Sequence, residues 1–171
     1  MVEDQHQPTL SNEEVQGIAA YAPGWHRVLF CLLAGTGLRV GEALALEVSD
    51  LTGTVLRVRQ SLYKRKLDTP KTKAGIREID LPTELAEMLR AHIGGRGSGF
   101  VFQTRKGGPI IQRNALRMLH GILSRMEKPK LGFHAFRRFR VTHLQKNMVP
   151  EDLIKFWLGH APQTVTDNYS S

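Results

Sequence analysis

The sequence predicts a single domain of the α+β class: mainly helical, with a small antiparallel three-stranded β-sheet. Three observations lead there. Apolar residues recur at helical spacing in several segments that together make up most of the chain. Two stretches near the middle alternate with a period of two, on either side of a basic, turn-rich segment. The length of 171 residues is enough for one real core and short for two. A hydrophobic fraction of 41% fits a folded chain rather than a disordered one. The longest apolar run, Val28 to Ala34, is far too short for a membrane span, and the N-terminus is acidic where a secretory signal would be basic. The single cysteine, Cys31, lies inside that run, allows no intrachain disulfide and reads as a small buried hydrophobe, which suits a reducing cytoplasm.

Residues 1–9 are polar, include Pro8 and read as a disordered lead-in; the domain proper is expected over 10–171. Ser11 followed by Glu14 is a capping box that opens a helix running to about Ala22, where Pro23-Gly24 breaks it. A second helix from Trp25 to Leu33 ends at Gly35-Thr36-Gly37, whose glycines permit a tight turn. A third, amphipathic helix covers Leu38 to Leu46, with Arg39 at its start and Glu42 one turn on. Val55–Val58 and Ile76–Leu81 are predicted strands of a basic hairpin closed by the turn-like Pro70–Gly75. Pro82-Thr83 starts a helix to about His92, the glycine-rich 94–99 is a loop, and Phe100-Val101-Phe102 is predicted as the third strand. Helices then follow over Gln112–Met126, His134–Asn147 and Pro150–Leu158, with a last short helical segment opened by Ala161-Pro162.

Charge is unevenly placed. The formal net charge is +8, yet residues 1–50 carry seven acids against two basic residues. From Arg57 to Arg77 there are eight basic residues and one acid, Asp68. Such asymmetry points to a polyanionic partner, nucleic acid before membrane surface. The hairpin bases Arg57, Arg59, Lys64, Arg65 and Lys66 are candidates for contact with a phosphate backbone, as are Arg138 and Arg140 further on. The plainer reading is a lysine-protected sheet edge.

The chemistry-bearing residues are few. Cys31 is alone and His134 and His143 are nine apart, which matches no usual helical pair of metal ligands. No phosphate-binding glycine loop and no serine-hydrolase elbow is present. What remains is His134 and Arg137 one turn apart, a second histidine in Leu158-Gly159-His160, and Tyr169 nine residues later.

Here the chain resembles a known family. Gly35-Thr36-Gly37-Leu38-Arg39-Val40-Gly41-Glu42-Ala43-Leu44-Ala45-Leu46 looks like the first signature of the tyrosine recombinases, or phage-type integrases. His134-Ala135-Phe136-Arg137, Leu158-Gly159-His160 and Tyr169 look like the others, in the family's order. The resemblance implies the family's catalytic-domain fold and a site made of Arg39, Lys71, His134, Arg137, His160 and Tyr169, with Glu42 in support and Lys73 as the alternative lysine. Tyr169 would attack a DNA phosphate, and two guanidiniums would hold the charge spread over its oxygens. His134 and His160 would hydrogen-bond the phosphate, and a lysine would protonate the leaving oxygen. Arg138 stands where the family often has a histidine, which removes one supporting hydrogen-bond partner. No metal or other cofactor is implied.

The implied partners are double-stranded DNA and further protomers in a tetrameric synapse, with no membrane, in the cytoplasm of a bacterium or in a phage or mobile-element setting. The 38 residues before Arg39 belong to the catalytic domain itself, so the family's N-terminal core-binding domain is expected to be absent and the isolated domain monomeric. Two further readings are a type IB topoisomerase-like relaxing enzyme and a non-catalytic DNA-binding module of the same fold.

Overall fold

The computed structural model describes residues 9–70 and 75–159. Among these the chain forms seven α-helices and two small antiparallel sheets. Helices α1 (Asn12–Tyr21), α2 (Gly24–Thr36) and α3 (Val40–Leu44) come first. Strands β1 (Leu51–Thr52), β2 (Val55–Val58), β3 (Ser61–Tyr63), β4 (Lys66–Asp68) and β5 (Arg77–Asp80) follow, then helices α4 (Thr83–Ile93), α5 (Gln112–Arg125), α6 (His134–Lys146) and α7 (Glu151–Trp157).

Helix α1 begins where the sequence places it. Ser11 Oγ accepts from the Glu14 amide at 3.1 Å, and the Glu14 carboxylate accepts from the Ser11 amide at 2.9 Å, so two otherwise orphaned donors are satisfied reciprocally. Helix α2 is the hub of the core. Its Leu29, Phe30, Leu32 and Leu33 are sealed from solvent, and it packs against α1, α4 and α6. Phe30 stacks on Phe136 of α6 with ring centroids 5.8 Å apart and planes 12° from parallel. That stack ties α2 to α6.

The three-stranded sheet has the order β1-β2-β5, with β2 antiparallel to both neighbours. The β2–β5 pairing of the predicted hairpin is present, in the register Val55↔Asp80 through Val58↔Arg77. The connection between them is not a plain turn: β3 and β4 form a separate two-stranded hairpin inside it. The third strand is also not where the sequence puts it. Phe100 makes only an isolated bridge to Glu47, and Val101 and Phe102 are buried in the core instead, so the sheet's third member is β1. An apolar triplet this short reads alike as strand and as core-filling loop.

The other helices fall within one or two residues of expectation, apart from α2, which runs three residues past its predicted end to Thr36 and leaves the turn to Gly37, and α3, which keeps only the middle of its predicted span. The predicted segment after Ala161 lies outside the described residues. Among the described residues, no helix is long and apolar enough to cross a membrane.

The Phe30–Phe136 stack yields a first test. Phe136→Ala is expected to cost about 3–5 kcal/mol in urea unfolding, and Leu67→Ala, on the exposed β4, less than about 0.5 kcal/mol. Equal small losses would show that the stack does not hold α6 to α2.

Candidate active site

Three of the predicted residues meet in one cleft. Arg39 is the N-cap residue of α3, directly after the turn that ends α2. His134 opens α6, and Arg137 stands one turn further along the same helix. All three line a cleft of about 220 Å³, together with Leu38, Val40, Gln112, Leu116, Gly132 and Phe133. Arg39 and His134 are exposed at its mouth and Arg137 is buried at its base. The Arg39 and Arg137 guanidiniums thus share an apolar-walled recess, where an anion is stabilised more strongly than in open water.

The backbone turn at Gly37 makes this convergence possible. Gly37 closes α2 in the left-handed conformation, with φ of 74°. A Cβ there would stand 2.9 Å from a Leu158 methyl and 3.2 Å from Arg140 Cγ. Only glycine allows both the conformation and the approach. The Gly37 carbonyl then accepts from Arg137 Nη1 at 2.7 Å, so the segment leading to Arg39 is tied directly to Arg137. Arg137 Nη2 donates to the Leu158 carbonyl, also at 2.7 Å, and draws in the end of α7.

Electrostatics set the character of this cluster. Burial, then repulsion from Arg39, pushes the Arg137 guanidinium down to about 10, against an opposing pull from Glu42 that is larger than the remaining repulsion from Arg77. At neutral pH it is still charged. A phosphate between Arg39 and Arg137 would offset that repulsion, which is the property wanted of a phosphate site.

Glu42 is buried, and its carboxylate is fully engaged. Its carboxylate accepts from the Arg39 amide at 3.0 Å and from both terminal nitrogens of Arg77, at 3.0 and 3.1 Å. Sequence reasoning counted Arg77 only among the hairpin charges. The period of β5 could have found it: Arg77 shares a face with the buried Ile79 and Leu81, two and four residues on.

The candidate DNA-contacting residues divide. Arg57, Lys64, Arg65 and Lys66 are exposed on the strands and the β3–β4 turn. Lys64 and Arg65 adopt φ of 50° and 67° there. With Arg113, Asn114 and Arg117 of α5 they line a second, open cleft, which sequence reasoning did not connect to the hairpin. Arg59 is committed to acids instead: Nε donates to Asp50 at 2.7 Å and Nη2 to Glu47 at 2.9 Å. Arg138 and Arg140 are half-buried, and desolvation lowers the pKa of Arg140. Lys71, Lys73, His160 and Tyr169 lie outside the described residues.

The Glu42 contacts yield a second test. Glu42→Gln is expected to cost about 3–5 kcal/mol in chemical denaturation, because Arg77 is left buried without its counter-charge. Glu47→Gln, at a half-exposed pair, should cost less than about 1 kcal/mol. A Glu42→Gln loss no greater than that of Glu47→Gln would contradict the account.

Comparison with known proteins gives the lineage of the chain. Residues 8–171 match the model of the phage integrase family. A XerC-like tyrosine recombinase of Caldanaerobacter subterraneus subsp. tengcongensis is 32% identical over 192 residues, covering 94% of this chain and 49% of that protein. The integrase of Mycobacterium phage L5 is 25% identical over 174 residues, covering 94% of this chain and 47% of that protein. The chain therefore spans about half the length of the curated relatives it matches. Among solved structures, the Tn1549 transposon integrase in complex with transposon right end DNA matches with a TM-score of 0.80 at 22% identity, over 100% of this chain and 65% of that one. The XerA recombinase matches with a TM-score of 0.75 at 20% identity, over 96% of this chain and 62% of that one. These two likenesses establish the fold, and the sequence matches establish the lineage: the chain belongs to the phage integrase family.

Proposed function

We propose that the chain is the catalytic domain of a site-specific DNA recombinase that cleaves and rejoins strands through Tyr169. The observation that supports this most is the meeting of Arg39, His134 and Arg137 in one cleft, although Arg39 and the other two come from distant parts of the chain. Arg137 also holds the Leu158 carbonyl, two residues before His160 in the sequence, which supports assigning that histidine to the same site. Two guanidiniums present planar forks of donors to the non-bridging oxygens of a phosphodiester. In the reaction Tyr169 Oη attacks phosphorus and the bond to the 5′-oxygen breaks. The leaving oxygen takes a proton from Lys71, with Lys73 as the alternative donor. A free tyrosine phenol has a pKa of about 10, so roughly one in a thousand is ionised at pH 7. His134, at the mouth of the cleft, is suited to take the phenolic proton. The 3′-phosphotyrosyl bond conserves the energy needed for rejoining, so the step requires no nucleotide.

Duplex DNA is the substrate in this reading. The exposed bases Arg57, Lys64, Arg65 and Lys66, joined by Arg113 and Arg117, supply backbone contacts outside the cleft. Binding led by phosphate contacts weakens steeply with salt. The isolated chain is expected to bind weakly and as a monomer, with the tetrameric synapse forming on DNA.

The test is incubation with nicked duplexes that trap the covalent intermediate. Wild-type protein should give a protein–DNA adduct, and Tyr169→Phe none; an adduct persisting in that variant would remove the nucleophile assignment. Lys71→Ala should slow adduct formation at least 100-fold on an ordinary duplex and recover on one with a 5′-bridging sulfur, a leaving group that needs no proton. A loss confined to Lys73→Ala would transfer the role to Lys73. Relaxation of arbitrary supercoiled plasmid at a comparable rate would favour the topoisomerase reading instead.

A further inference from the structure

Arg77 is the most deeply buried cation among the described residues, and the chemistry proposed above makes no use of it. Its side chain is 1% exposed and its partner Glu42 7%. Charge this deep is tolerated only when the group is thoroughly hydrogen-bonded. Arg77 meets that demand across three parts of the fold. Nη1 and Nη2 grip the two Glu42 oxygens, Nε donates to the Trp157 carbonyl at 2.7 Å, and Nη1 also donates to the Gly75 carbonyl at 2.8 Å.

Those partners are not arbitrary parts of the fold. The Glu42 carboxylate also accepts from the amide of Arg39, so guanidinium, carboxylate and Arg39 backbone form a continuous chain. Trp157 is the last residue of α7, three before His160. Arg137 holds the next carbonyl, that of Leu158, so two arginines clamp successive carbonyls at the end of this helix. Gly159 then turns over the Arg77 guanidinium with φ of 77°; a Cβ there would sit 2.6 Å from Nη1. The glycine between Leu158 and His160 is thus required by close approach as well as by conformation.

We infer that Arg77 is a positioning residue of the strand-cleavage site, fixing the Arg39 turn and the end of α7 relative to each other. The inference rests on the recombinase reading above. A buried pair kept only for stability could be replaced by packed apolar side chains. Here a planar guanidinium donates four hydrogen bonds to three acceptor groups at once, which neither an ammonium nor an apolar side chain reproduces. Transesterification depends on placing the phosphate to within a fraction of an ångström, so a slack junction lowers rate more than binding.

The experiment compares the full 171-residue chain as wild type, Arg77→Lys, and the double variant Arg77→Met with Glu42→Gln, which removes both buried charges and guards against simple unfolding. The probe is a nicked duplex recovered by covalent capture on wild-type protein from a pool with randomised cores. Single-turnover adduct formation is followed against DNA concentration, with the thermal midpoint of each protein measured alongside. The expected result is a fall of about 100-fold or more in the rate at saturation for both variants, with half-saturating DNA within about twofold of wild type. The double variant should recover its thermal midpoint without recovering its rate. A saturating rate within about threefold of wild type in either folded variant, or a rate that returns in step with the midpoint, would overturn the inference. If wild type captures no duplex at all, the recombinase reading fails first and takes this inference with it.

Discussion

The site depends on a surplus of buried positive charge that one carboxylate holds in place. Arg77 and Arg137 are both buried, Arg39 lies near enough to repel Arg137, and Glu42 is the acid that faces them. Such a cluster is costly in a bare hydrophobic core, and the fold meets the cost with backbone carbonyls. Gly37, Leu158, Trp157 and Gly75 all accept from these two arginines. The carbonyls at the end of α7 are free to do so because a helix leaves its last four without internal partners. Electrostatic necessity and architecture are the same fact here: the groups that make the arginines tolerable are the groups that hold the segments together.

This also explains how residues so distant in sequence come to share a cleft. The turn at Gly37 brings Arg39 against α6, the Phe30–Phe136 stack sets the height of α6 on α2, and the two arginines hold α7 against both. Apart from those of Arg137, these contacts involve no residue assigned to the reaction itself. The chemistry is delegated to a few side chains, and their placement is spread through the core, so a change in packing far from the cleft is felt there.

Much of this was legible in the sequence, for identifiable reasons. Helix starts carry local chemistry, as Ser11 and Glu14 show, and long apolar periods such as that of α5 have few competing readings. Arg39, His134 and Arg137 were legible because they sit in motifs beside glycine turns or helix starts. The β3–β4 hairpin was not: its turn residues are Lys64 and Arg65, both with positive φ, where asparagine and glycine would announce such a turn. Phe100–Phe102 misled because core-facing loop and short strand look alike in three residues. Arg77 was obscured by its basic neighbours, since charge along a chain does not reveal which side of a strand each residue faces. The role of Arg59 was hidden for a related reason: its acids, Glu47 and Asp50, precede it by nearly a strand and a turn.

In the proposed reaction the Arg39–Arg137 cleft receives a DNA phosphate. Nitrogen-15 NMR of the arginine side-chain Nε–H groups during titration with duplex DNA tests it most directly. The Arg39 and Arg137 signals should move together, saturate together, and lose their response as salt is raised. Signals that shift only for Arg57, Arg65, Arg113 and Arg117, with Arg39 and Arg137 unmoved at saturation, would place the DNA elsewhere and contradict it.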